Sequence, residues 1–100
     1  MIPKGCTAIN SFTIPYRENE IETMFITYQQ NEITVVEKTI DDCSFKEGSV
    51  SVALTQEETL EFKSYVQVRI QIRVKLKDGT VTKSNIITTD VDKVLKEGAI

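Results

Sequence analysis

The chain contains no histidine, which removes together the commonest general base, the Ser-His and Cys-His nucleophile pairs and most zinc sites. Tryptophan is absent too, and the spacing of the two cysteines, Cys6 and Cys43, fits no metal or redox motif. No export signal accompanies them, so they read as two independent free thiols rather than a bridge. There is no glycine-rich phosphate loop, no G-x-S-x-G elbow and no N-x-S/T acceptor. Apolar runs fall short of a bilayer span, and Met1–Asn10 has neither the basic nor the apolar region of a secretory signal. The expectation is a soluble protein made inside the cell, with no catalytic activity, no cofactor, no metal and no membrane contact. A net charge of −3 also disfavours nucleic acid as the main ligand.

What is present is globular usage: 40% of residues are hydrophobic and 27% charged over a length of 100, enough for one core and not for two. Residues 1–100 are therefore one domain. Apolar side chains alternate with polar ones along most of it, the signature of half-buried strands. The clearest run is 66–77, where Val66, Val68, Ile70, Ile72, Val74 and Leu76 share one face, and Gln67, Arg69, Gln71, Arg73, Lys75 and Lys77 share the other. Asp78-Gly79 follows, a dipeptide suited to the positive φ angles of a tight hairpin. A two-residue loop there would set Leu76 against Val81 and Ile70 against Ile87, but would also aim Lys83 and Asn85 at the core. Either a bulge near Ser84-Asn85 turns Ile86 inward, or the last strand is an edge whose inward lysine blocks unwanted pairing.

Upstream, 22–30 places Met24, Ile26 and Tyr28 on one face. A break at Gln30-Asn31 leads into 32–39, where Ile33 and Val35 alternate, and these read as a second hairpin. Further strands are expected at 49–55, through Val50, Val52 and Leu54, near 43–46 as a bridge between sheets, and at 11–14 as an edge ended by Pro15. Thr55 and Glu58 stand at capping-box spacing and predict one helical turn. The layout predicts an all-β, immunoglobulin-like antiparallel sandwich of about seven strands, with a short helical turn between the fifth and sixth. The core tryptophan and paired cysteines of antibody domains are missing, so the match is one of architecture. Residues 1–10 are expected as an N-terminal arm. Residues 92–100 form a C-terminal arm, loose or helical through Val91, Val94 and Leu95.

Two groups of residues are candidates for contact. Arg69, Arg73, Lys75 and Lys77, joined by Lys63 and Lys83, make a cationic stripe suited to a carboxylate-rich partner. Cross-strand ion pairs on a solvated face are the plainer reason for such a stripe, and no aromatic residue interleaves with it along the strand, as a single-strand nucleic-acid platform would need. Tyr16 and Tyr65 fall at loop or strand-end positions where a ring could meet a sugar or a protein. The acidic clusters, Asp41-Asp42, Glu57-Glu58 and Asp90 with Asp92 among them, lack the order of a calcium loop and read as solvated turn residues.

Three stretches taken together resemble a family. They are Thr27-Tyr28-Gln29-Gln30 with Val36-Glu37-Lys38-Thr39 and Asp42-Cys43; Leu54-Thr55-Gln56-Glu57-Glu58-Thr59-Leu60-Glu61-Phe62; and Ile70-Gln71-Ile72-Arg73-Val74 with Asp78-Gly79 and Ser84-Asn85-Ile86. The likeness is to small proteins of about this length encoded by phages and prophages of Gram-positive bacteria, and it covers most of the chain. It implies a virion structural or accessory protein, a head, neck or tail component made in the host cytoplasm. Such a protein would act through contacts with other virion proteins or with copies of itself in a homo-oligomer. The alternative is a monomeric module that binds a bacterial surface glycan or a host protein. Cys6 departs from the family pattern, which puts a Cys6-Cys43 bridge further in doubt.

Overall fold

Period-two patterning puts every second side chain on one sheet face, and here it yields two sheets whose apolar faces meet. The computed structural model describes Met1–Ile100 throughout. Its strands are β1 (Ala8–Thr13), β2 (Ile21–Gln30), β3 (Ile33–Thr39), β4 (Cys43–Lys46), β5 (Ser49–Leu54), β6 (Val68–Leu76), β7 (Val81–Lys83) and β8 (Ile87–Thr89), with one helix, α1 (Gln56–Leu60), between β5 and β6. One sheet has the order β1-β5-β4; the other has β3-β2-β6-β7, with β8 also on β6. All strand pairs are antiparallel. Since β7 and β8 are two halves of one strand position, the sandwich has seven such positions. Their order is the immunoglobulin layout, B-E-D on C′-C-F-G, with one of the extra strands that variable-type domains add. The first strand of that layout is reduced to a single parallel bridge between Ile2 and Val91.

The core draws on both inner faces: Phe12, Val50, Val52 and Leu54 from one sheet, and Met24, Ile26, Tyr28, Val36 and the even-numbered residues of β6 from Val68 to Val74 from the other. Tyr28 is fully buried, its ring packed edge-to-face with Phe62 at 6.0 Å between centroids, and its hydroxyl donates to Asn10 Oδ1 at 2.7 Å. That hydrogen bond spans the two sheets where an antibody domain would set its tryptophan and disulfide. Helix α1 starts where the capping box predicts: Glu58 N–H donates to Thr55 Oγ1, and Thr55 N–H donates to the Glu58 carboxylate.

Several expectations shift. Residues 1–10 are not an arm: Ile2 is buried in the core, and β1 begins at Ala8. At the other end Val91 is fully buried, and Asp92 returns a backbone bond to Ile2. Beyond it the chain is irregular rather than helical, ending where the Ile100 backbone exchanges two bonds with the Gln56 side chain. Val35 does not hold the inward slot of β3, because a register shift at Tyr28/Gln29 puts Val36 opposite Tyr28; Ile33, next to the hairpin loop, is exposed. Strand β4 belongs wholly to the three-stranded sheet, and the crossing between sheets is made by the 3-10 turn at Ile40–Asp42.

The final hairpin resolves differently as well. Its loop has three residues, Lys77–Gly79, closed by Leu76 N–H to Thr80 O and Gly79 N–H to Leu76 O. Gly79 supplies the φ of +94° that such a loop requires. One extra loop residue sets Lys75 against Val81 and Arg73 against Lys83, so Lys83 points outward and the conflict disappears. An irregularity over Ser84–Ile86 then restores the predicted Ile70–Ile87 pair. The break lies at the expected place, but Ile86 is half exposed instead of inward. There Ser84 Oγ accepts from Ile72 N–H, and Ser84 O accepts from Gln71.

Candidate cationic face

The outer face of the five-stranded sheet is set by strand register. Directly opposite residues in an antiparallel pair project on the same side, so Thr23–Lys75–Val81, Phe25–Arg73–Lys83 and Gln29–Arg69–Thr88 form three rows across β2, β6 and the last strand. Arg69, Arg73, Lys75 and Lys83 thus share one surface with Phe25 and Val81, both substantially exposed. Lys77 does not join them: it opens the hairpin loop, where its N–H donates to Glu20 O. Lys63 sits at the far end of the sandwich, in the connection after α1.

Compensating acid is scarce on this face. Lys75 meets Glu22 at 3.5 Å, with both side chains about half exposed, and Glu37 accepts from Thr27. Arg69, Arg73 and Lys83 belong to no ion pair, so the expected lattice of cross-strand pairs is not what organises these charges. Arg73 and Lys83 stand directly opposite one another, an arrangement that costs up to about 1 kcal/mol. The register also does what the linear sequence hides: it brings an aromatic ring, Phe25, beside the Arg73 row.

The stronger ion pair lies elsewhere. Lys38, opposite the core residue Ile26 in register, points inward at the edge of β3 and reaches Glu58 of α1 at 2.7 Å. An inward lysine on an edge strand is one of the two alternatives the sequence offers at position 83; the fold has such a lysine at position 38. Burial acts to raise the Glu58 carboxyl, but hydrogen bonds from Lys38 and the Thr55 amide outweigh it and hold it below the usual carboxylate range. Burial pushes the Tyr28 hydroxyl well above the ordinary phenol range, and the charges of Cys43 and Glu58 add to this. Cys43 is half-buried, with its thiol raised by desolvation, whereas Cys6 is exposed; both are free.

The two tyrosines are not brought together. Tyr16 is half-buried at the mouth of a cleft of about 180 Å³ between the sheets, lined also by Ile14, Pro15, Ile72, Val74 and Ser84. Tyr65 lies in the connection before β6, exposed and left-handed at φ +62°, an uncommon conformation for an aromatic residue. Its N–H is tied to Val91 O. Below it Gln30, almost fully buried, clasps the same connection: its amide nitrogen donates to Lys63 O and Val66 O, and its oxygen accepts from Lys63 N–H. Nothing in the sequence pattern marks Gln30, which reads there as a turn residue. Several acids serve the backbone, Asp42 and Glu58 as caps and Asp92 as acceptor from Lys4 N–H.

No family model and no curated protein matches this sequence. Among solved structures, the chain is similar to the V domain of amphioxus IgVJ-C2, at 10% identity over 91% of this chain and 97% of that one, with a TM-score of 0.37.

Proposed function

We propose that this chain is a non-catalytic assembly module of a bacteriophage particle, which engages a carboxylate-rich protein surface through the outer face of its five-stranded sheet. The observation that carries the contact face is the Arg73–Lys83 pair, two like charges held opposite each other with no acid paired to either. An anionic partner relieves that repulsion, and the exposed Phe25 and Val81 beside it add apolar contact area. The virion setting draws its support from the likeness of the three sequence stretches to phage and prophage proteins. Partner choice follows from the sparse aromatic content of the face: one ring is too little for successive bases to stack on, so a carboxylate-rich protein suits it better than a single-stranded nucleic acid.

The test is an NMR titration of the ¹⁵N-labelled chain with a short polyglutamate, with an oligothymidylate of equal length as the competing ligand. Amide shifts centred on Arg69, Arg73 and Lys83 with polyglutamate, weakened by salt and lost in Arg73→Glu, are expected. Stronger binding of the oligothymidylate, or no response on this face, refutes the contact. Mass spectrometry of purified particles tests the setting, and recovery of the chain only from host cytosol refutes it.

A further inference from the structure

The two sheets have four margins, and three carry features that discourage pairing with another strand. β3 has the inward Lys38 and a register shift. The β7–β8 margin is broken over Ser84–Ile86. β4 is four residues long, ends on Lys46 and is flanked by Asp41, Asp42 and Glu47. β1 has none of these: six residues in unbroken register with β5, in a stretch with no charged residue between Lys4 and Arg17. No strand pairs with its outer margin: Met1–Thr7 runs to the Ile2–Val91 bridge, and the C-terminal residues end on Gln56.

The phase of the ladder says which groups are free. Ile14 N–H donates to Gly48 O, continuing the β1–β5 register by one residue. Hydrogen-bonded and non-bonded positions alternate along an antiparallel pair, so Phe12, Asn10 and Ala8 face β5. Ile9, Ser11 and Thr13 direct their N–H and C=O groups outward, and all three side chains are exposed, Ile9 at 74%.

We infer that this margin pairs with the same margin of a second copy, β1 against β1 antiparallel about a twofold axis at Ser11. That register alone sets all three outward residues in bonded pairs, Ser11 with its own equivalent and Ile9 with Thr13 both ways, and joins the two three-stranded sheets into one. Charge selects the occupant. A margin without charge gives no purchase to an acidic or basic partner, yet meets itself with no like-charge opposition, whereas the cationic face would repel its own copy. The contact uses the opposite sheet from the proposed acidic-partner face and stands or falls independently of it. A single strand pair buries less than the ~1,200 Å² of stable complexes, so dimerisation is expected in the micromolar range or weaker.

Sedimentation velocity across about 10 μM to 1 mM, with hydrogen exchange at both limits, tests this. The expected result is a dimer whose Ile9, Ser11 and Thr13 amides become protected as it forms, while Asn10 and Phe12 are protected throughout. Ser11→Pro removes an outward N–H without touching the β5 ladder and should weaken the dimer at least tenfold. Ser11→Lys, which sets two lysines together at the axis, should do the same and serves if the proline variant fails to fold. A monomer at all concentrations, a dimer with these three amides unprotected, or full dimerisation of the variants would each overturn the inference.

Discussion

Replacing Gln30 with methionine removes three hydrogen bonds while roughly keeping the volume of the side chain. Gln30 is only 4% exposed, and it satisfies the N–H and C=O of Lys63 and the C=O of Val66. Each bond contributes about 1 kcal/mol net. Lys63 is exposed and Val66 half-buried, so water reaches part of the released backbone and the higher penalties for sealed orphan groups do not apply in full. The loss should be about 3 kcal/mol. For a domain of this length that lowers Tm by roughly 12–24 °C, a large part of the 5–15 kcal/mol that holds a typical domain together. Urea denaturation should show a lower midpoint with an unchanged slope. Hydrogen exchange should show the Lys63 amide opening first, because the connection carrying the left-handed Tyr65 loses its clasp. A destabilisation below about 1 kcal/mol, or an unchanged Lys63 amide, would refute the reasoning.

Tyr28→Phe should cost about 1–3 kcal/mol by leaving the Asn10 side chain without its partner, and adding Asn10→Val should recover part of that in a thermal melt. Acid stability should depend on Glu58. Its folded carboxyl lies below the unfolded value near 4.5, so its contribution is complete above that pH and is lost as pH falls through the folded value. Glu58→Gln should therefore flatten the loss of stability below about pH 4.5, and an unchanged acid profile would count against the Lys38–Glu58 pair.

Alternation made the strands legible wherever one face is buried and the other wet. The even-numbered residues of β6, the Met24–Ile26–Tyr28 series and the Thr55/Glu58 cap all stand where their local chemistry placed them. Failures cluster where one residue of register decides the outcome. One extra loop residue at Lys77–Gly79 turned Lys83 outward, and one extra residue in β3 exchanged Val35 for Val36. Turn length and bulges depend on which strand lies alongside, and the chain does not advertise its neighbours. The terminal segments failed for a related reason: Ile2 is a single apolar residue without periodicity, Val91 shares helical spacing with Val94 and Leu95 that the fold does not use, and only the meeting of Ile2 and Val91 across the length of the chain buries them.

The contact faces divide in the same way. Arg69, Arg73 and Lys75 belong together through period two alone, which is a local property of an extended backbone. The lack of acid paired to Arg69 and Arg73, the placing of Lys83 and Phe25 beside them, and the bare margin of β1 are products of strand order and register. Amino-acid order settled which side chains of the long alternating runs in β2, β5 and β6 turn inward, because that choice is made between adjacent residues. Which charges and margins stand exposed together was left to the packing of two sheets, because it depends on residues far apart in the chain.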